Sequence, residues 1–116
     1  KGSKAVGITE KLSDYFDGDI RAINSIKVKQ PGGDFSQAAW AAMRKIKAGT
    51  TESYSDLAHR AGSPAAVRAA GSACAKNKIA IIIPCHRIIK TGGAIGAYGW
   101  GVNKKVWLLE HEGYAL

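Results

Sequence analysis

The sequence predicts a mainly helical α+β domain, a small helical unit with a helix-turn-helix and a short β-hairpin that carries Cys85. Three observations predict it. Apolar residues recur at helical spacing in stretches that each end at a glycine, Gly18, Gly49 and Gly113. Gly62-Ser63-Pro64 joins two short helices through a turn. Two isoleucine-rich runs, Ile81-Ile82-Ile83 and Ile88-Ile89, flank Pro84-Cys85-His86-Arg87 and read as strands. At 116 residues the chain is one small domain, or one and a fragment.

Residues 9–17 read as a short helix, with Leu12, Tyr15 and Phe16 at helical spacing and Gly18 at its end. The opening four residues are given no structural weight. Ile23 to Val28 alternates weakly, like an edge strand, and Pro31-Gly32-Gly33 is the clearest break. What precedes that break is too small to fold alone, so it is a docking arm or the tail of another domain. Asp34 or Ser36 is expected to cap the next helix, which carries Trp40, Met43 and Ile46 on one face and stops at Gly49. Thr50-Thr51-Glu52-Ser53 leads into a short helix bearing Leu57 and Ala58. Gly62 closes that helix, Ser63 is the expected N-cap of the next, and Pro64 fits its first position, giving a helix over 64–75. Ile79 to Ile83 reads as a continuous apolar strand, and Ile88-Ile89 begins another that turns at Thr91-Gly92-Gly93. Gly96, Gly99 and Gly101 punctuate a loop bearing Tyr98 and Trp100. Asn103 is expected to cap a last helix that offers Val106, Trp107 and Leu109 for packing and closes at Gly113.

The net charge is +8, and it is uneven: residues 1–36 hold six Lys/Arg against five Asp/Glu, whereas residues 37–116 hold eleven against four. A basic surplus confined to one part suits a polyanion, nucleic acid foremost, although solubility alone would also explain it. The helix over 64–75 is rich in small residues and lacks the Asn, Gln and clustered Arg side chains that read base edges. It is either buried against the core or laid on a groove without reading sequence, with Arg68 as its long probe. The surplus of charge favours the groove. Two cysteines, Cys74 and Cys85, do not make a disulfide framework, and a reduced, intracellular setting is expected. No apolar run is long enough to span a membrane, and no signal peptide is visible. Neither CxxC nor HxxxH spacing occurs, so no metal site and no cofactor are expected.

A thiol, an imidazole and a guanidinium stand side by side at Cys85, His86 and Arg87 between apolar stretches, and a structural salt bridge is expected of Arg87. Burying such groups is unfavourable unless they are paired or reach a cleft. A nearby cation favours the thiolate, which is the nucleophile, whereas a Cys in purely apolar surroundings is inert packing. On a strand, Cys85 and His86 would point to opposite faces and could cooperate only through a bend at Pro84 or a bridging water. Glu112 sits in the last helical turn, where the dipole disfavours an anion. It is either a solvated surface residue or a carboxylate held by a histidine, completing a Cys, His and carboxylate set. Its partner among His59, His86 and His111 stays open at this point.

Pro84-Cys85-His86-Arg87 followed by an apolar pair resembles the active-site signature of the O6-alkylguanine-DNA alkyltransferases (methylated-DNA–protein-cysteine methyltransferases). The match runs from about Gly33 to Tyr114. It takes in Thr51-Glu52-Ser53-Tyr54, Ala66-Val67-Arg68-Ala69, Asn77 eight residues before the cysteine, and Leu108-Leu109-Glu110-His111-Glu112. Residues 9–30 resemble the end of the family's N-terminal α/β domain. The resemblance therefore implies a remnant of that domain and a linker over 1–33, followed by a DNA-binding and alkyl-acceptor domain over 34–116.

The family moves an alkyl group from guanine O6 to its cysteine once and irreversibly. By position, the resemblance implies Cys85 as acceptor, His86 as base acting through a water, and Glu112 as the group that orients His86. Asn77 would brace the turn holding Cys85, and Tyr54 would donate to the departing guanine. Tyr98, with the backbone of Gly99 and Ile88, would line the guanine pocket, and Lys105 would support its loop. Arg68 would enter the base stack, with Ser63, Ala66 and Val67 beside it on the DNA side. The implied partner is double-stranded DNA containing O6-alkylguanine, bound by a monomer without a membrane or cofactor. The setting would be cytoplasmic and nucleoid-associated in a prokaryote, nuclear in a eukaryote. Gly99 departs from members that carry Ser there, and Trp100 stands where many have a small residue. The competing readings are a non-catalytic lesion binder, a helix-turn-helix regulator, and a cysteine hydrolase or redox protein. Cys85 argues against the first, the absent base-reading side chains against the second, and the charge and groove helix against the third.

Overall fold

The computed structural model describes residues 2–90 and 92–114. Five helices surround two small apolar clusters: α1 (Gly2–Phe16), α2 (Asp34–Met43), α3 (Tyr54–Arg60), α4 (Val67–Lys76) and α5 (Val102–His111). Strands β1 (Glu52–Ser53) and β2 (Ile88–Ile89) pair in parallel, Glu52 with Ile88 and Ser53 with Ile89. The first cluster joins α2, α3 and α4 through Trp40, Met43, Leu57, Ala58, Ala70 and Ala73, and it reaches Cys85 and Ile88. In the second, Tyr15, Ile23 and Ile26 close over Leu108 of α5. The segment before Pro31 is thus docked on the last helix. No helix among the described residues is long and apolar enough to cross a membrane.

Local chemistry sets several boundaries where the sequence places them. Ser53 accepts from the Asp56 N–H at 3.0 Å while the Asp56 carboxylate accepts from the Ser53 N–H, a reciprocal cap that starts α3 at Tyr54. At the end of α5 the N–H of Gly113 bonds Glu110 and that of Tyr114 bonds Leu109, a Schellman closure that needs the left-handed φ of +94° at Gly113. Gly62, at φ +90°, closes α3 in the same way, with Ser63 donating to Ala58. The helix-turn-helix is therefore present as α3 and α4.

Other expectations change. The first helix extends to Gly2, beyond the span 9–17. Ile23 to Val28 is no edge strand: Ala22–Ser25 forms a 3-10 turn and the chain then runs extended without a ladder partner among the described residues. Gly33, not Asp34 or Ser36, is the N-cap of α2, and that helix ends at Met43 ahead of the turn at Gly49. The helix over 64–75 begins instead at Val67, and Ser63 is not its cap. Ser63 O accepts from the Ala66 N–H, so Pro64 occupies the second position of a β-turn, which suits its fixed φ. Ile79 to Ile83 is not a strand. Its N–H and C=O groups fold back on one another, Ile82 to Ala80 and Ile83 to Ile79, with Ile81 at φ +72°. A continuous apolar run does not by itself distinguish a strand from a buried turn. The hairpin is accordingly corrected to the parallel β1–β2 pair, with Cys85 just ahead of β2. Thr91 lies outside the described residues, while Gly92 and Gly93 both take positive φ in the turn that returns Ala94 O to the Lys90 N–H. Gly101, at φ +107°, caps α5 in place of Asn103.

Candidate active site

Cys85, His86 and Arg87 form one 3-10 turn rather than part of a strand. Successive side chains on such a turn diverge by about 120°. Cys85 is 4% exposed, and its N–H donates to Ile83 O at 2.8 Å. Asn77, at the end of α4, secures the loop before it: Nδ2 donates to Ile83 O at 2.9 Å, and Oδ1 accepts from the Ile79 N–H at 3.0 Å. Burial pushes the Cys85 thiol up, while the Asn77 side chain and the Lys105 ammonium pull in the other direction. Cys74 is pushed up to about 12, chiefly by burial and further by Cys85.

Behind the cysteine lies a buried ionic cluster. His86 Nε2 is 2.8 Å from Glu112 Oε2, with both side chains wholly inaccessible. The open choice of partner for Glu112 is thus settled as His86; His111 instead meets the Tyr15 carbonyl at 2.7 Å. Arg87 grips the same carboxylate with two parallel bonds, Nε to Oε1 at 2.9 Å and Nη2 to Oε2 at 2.8 Å. Its Nη1 donates to Ile46 O at 2.7 Å. Burial alone would raise the Glu112 carboxyl, but His86 and Arg87 hold it down at about 2. Burial lowers His86, against the raising effect of Glu112. The imidazole at neutral pH is therefore neutral and beside an ionised carboxylate, so Nε2 carries the proton. Nδ1 is left as an acceptor with no protein partner among the described residues.

The remaining predicted groups flank this turn. Lys105 is fully buried and spends its three donors on backbone carbonyls, Ile88 O at 2.7 Å, Ile95 O at 2.6 Å and Ala97 O at 3.3 Å. It ties the 94–101 loop to β2, and it occupies Ile88 O. Gly96, at φ +78°, lies where an added Cβ would stand 3.7 Å from both Lys105 Nζ and the Tyr54 hydroxyl. Burial, then Cys74 and Cys85, raises the Tyr54 phenol, so it is a protonated donor. Tyr98 packs on Trp100 with ring centroids 5.3 Å apart. An added Cβ at Gly99 would meet nothing within 4 Å, so packing does not demand glycine there.

Ser63, Ala66, Val67 and Arg68 cluster at the N-terminal end of α4, apart from the cysteine turn, with Val67 and Arg68 exposed. The opposite face buries Ala70 and Ala73, and Trp40 Nε1 donates to Ala73 O at 2.9 Å. The core-packing reading holds for that face, and Val67 and Arg68 stay exposed on the other. An apolar cavity of about 360 Å³ between Phe16, Ile81, Tyr98, Trp100, Trp107 and Leu108 borders only Tyr98 of the predicted pocket residues. Cys85, His86 and Arg87 are not part of its lining.

Sequence reasoning missed two contributors. Tyr15 donates to Glu112 Oε2 at 2.6 Å across 97 residues of chain. Gln30 brackets Asn77, donating to its Oδ1 at 3.0 Å and accepting from the Lys78 N–H at 3.1 Å. Arg87 makes the structural salt bridge expected of it, and its partner, Glu112, is what the sequence left unnamed. The only signal for it was the carboxylate at the disfavoured end of α5; for Tyr15 and Gln30 no local pattern exists.

The arrangement has close parallels. A family model described as the DNA binding domain of 6-O-methylguanine DNA methyltransferase matches residues 34–114. The methylated-DNA–protein-cysteine methyltransferase of Salmonella typhimurium is 42% identical over 110 residues, 95% of this chain and 64% of that protein. The bifunctional transcriptional activator/DNA repair enzyme Ada of Escherichia coli is 52% identical over 81 residues, 70% of this chain and 23% of that protein. The structure of Mycobacterium tuberculosis OGT in complex with DNA superposes with a TM-score of 0.82 at 40% identity, over 91% of this chain and 64% of that one. The chain thus spans a little under two thirds of the length of the methyltransferases it matches.

Proposed function

This chain belongs to the 6-O-methylguanine DNA methyltransferase family, and from that membership we propose that it repairs DNA by moving the alkyl group of O6-alkylguanine onto Cys85, once and irreversibly. The observation that carries the reading is the buried His86–Glu112–Arg87 cluster directly behind the cysteine. Among the described residues, the buried polar atom in it without a partner is a proton acceptor, His86 Nδ1.

The chemistry follows from the geometry. A buried thiol keeps its proton unless a base takes it. Because Cys85 and His86 diverge on the 3-10 turn, a water relays the Cys85 proton to Nδ1. Glu112 then faces an imidazolium and stabilises it, while Arg87 keeps the carboxylate ionised. The thiolate forms the S–C bond as the C–O6 bond breaks, and the electron pair stays on guanine, which takes a proton supplied through Tyr54. The product thioether is not hydrolysed, so each molecule acts once. The target carbon lies within the duplex, so the base is extruded into the pocket beside Tyr98, Gly99 and Ile88, and Arg68 fills the stack. The partner is double-stranded DNA carrying O6-alkylguanine, met by a monomer. Residues 34–116 form the DNA-binding and acceptor domain, and residues 1–33 belong to the end of an N-terminal domain and its linker. The setting is the nucleoid-bearing cytoplasm of a prokaryote or the nucleus of a eukaryote.

Intact-mass analysis after incubation with an O6-methylguanine duplex tests this. The protein should gain one methyl, mapped to the Cys85 peptide, and Cys85→Ala should bind duplex without gaining it. Methylation that persists in Cys85→Ala overturns the assignment. Binding with no gain in the unaltered protein makes it a lesion binder.

A further inference from the structure

Tyr15, from outside the matched domain, is a buried side chain that reaches the ionic cluster. It is fully inaccessible, and its hydroxyl donates to Glu112 Oε2 at 2.6 Å. That oxygen also receives His86 Nε2 and Arg87 Nη2, each at 2.8 Å, so three donors converge on it, while Oε1 holds only Arg87 Nε. Core packing alone would be served by Phe, which carries no hydroxyl to desolvate. The ring is also fixed on several sides. Its edge meets the His111 ring, with centroids 5.1 Å apart, and the Phe16 ring at 5.3 Å. Its own carbonyl meets His111 Nε2, so backbone and side chain both clip α1 to α5.

Building on the alkyl-transfer reading, we propose that Tyr15 is a positioning residue: its hydroxyl locks the Glu112 carboxylate so that His86 is held through Nε2 with Nδ1 left to receive the Cys85 proton. Three donors saturate Oε2, which leaves no site there for a proton. The carboxylate is therefore fixed in rotamer, and the ring it holds through Nε2–H keeps Nδ1 as its acceptor. Burial and Glu112 hold the phenol well above its ordinary range, so it donates at any working pH. The other charged or titratable groups that bear on the cluster are Arg87 and Lys105, with Tyr98 from the loop side. A change confined to the Tyr15 hydroxyl leaves all of them in place.

Tyr15→Phe removes one donor and makes the Glu112 carboxylate a stronger partner for imidazolium. The proton affinity of His86 should rise by about three- to tenfold, read from the ring resonances of the unreacted protein by NMR titration. The acid limb of methyl transfer should move to higher pH by the same factor, with the rate deficit largest below the limb. Placing 3-fluorotyrosine at position 15 keeps the shape and strengthens the donor, so the midpoint should move the opposite way. This second variant decides the matter if Tyr15→Phe does not fold. A purely structural Tyr15 would lower the melting temperature and leave both midpoints in place, and that result overturns the proposal. Failure of the unaltered protein to take up the methyl would instead overturn the alkyl-transfer reading, which the NMR midpoint does not depend on.

Discussion

Glu112 receives four hydrogen bonds from three side chains, and its ionisation is the pivot of the site. Its carboxyl lies at about 2 against an ordinary 4.5. A depressed carboxyl contributes stability that is present above 4.5 and lost as pH falls towards 2, on the order of 3 kcal/mol here. His86 acts in the same direction by a different route. Burial lowers it from 6.5, so below that pH the unfolded chain binds the proton more readily and stability begins to fall. Thermal stability should therefore fall gently below pH 6.5 and steeply below 4.5. Glu112→Gln leaves the Arg87 guanidinium buried and unpaired, which should cost about 3–5 kcal/mol at neutral pH. Because the variant has no carboxyl to titrate, its melting curves should converge on those of the unaltered protein as pH approaches 2. Parallel curves down to that pH would show that Glu112 is not the acid-sensitive group.

At the scale of the element, the caps place the chemistry. The Schellman closure at Gly113 puts Glu112 at the C-cap of α5, turned inward under Arg87. An added Cβ at Gly113 would meet nothing within 4 Å, so the cost of Gly113→Ala comes from the backbone φ of +94° alone. That strain should be about 1 kcal/mol, lowering the melting temperature of a domain this size by roughly 4–8 °C. If the strain is relieved by unwinding the cap, Glu112 moves and transfer slows as well. An unchanged melting temperature would show that the last turn does not depend on the left-handed residue. The C-terminal glycine closures were also what the sequence made most legible: Gly62 and Gly113 stand where the spacing puts them, whereas the N-caps expected at Asp34 or Ser36, Ser63 and Asn103 fall elsewhere. The runs of isoleucine were the least legible. Ile79 to Ile83 has the composition of a strand, yet Asn77 and the loop's own backbone satisfy its polar groups, so no neighbouring strand is needed. Cys85 and His86 were identifiable as chemistry, but their relation was not, because the 3-10 turn replaces the alternation of a strand. Tyr15 and Gln30 were invisible because hydrogen bonds spanning 97 and 47 residues leave no periodic trace.

The radius of gyration is 13.9 Å, near the roughly 13 Å expected of a compact chain this long, so the segment before Pro31 is wrapped on rather than projecting. That segment contributes +2 of the net charge of +8; residues 37–116 hold eleven Lys/Arg against four Asp/Glu, and the exposed end of α4 lies among them. Duplex binding by such a surface is driven by counterion release and should weaken steeply with salt. For about three neutralised phosphates, a fourfold rise in salt lowers affinity by about 40-fold. Arg68 stands apart within this picture. Small residues, Ala65, Ala66 and Ala69, surround it on α4 and in the turn before it, so its guanidinium can reach further than any neighbour. If Arg68 fills the gap left by an extruded base, Arg68→Ala should leave the slope of affinity against salt unchanged and should sharply reduce the fluorescence rise of a 2-aminopurine placed opposite the lesion. If it is an ordinary phosphate contact, the slope should fall by about 0.9 and the fluorescence should survive in proportion to binding. The two measurements separate the roles because insertion exchanges stacking for stacking, whereas a phosphate contact releases an ion.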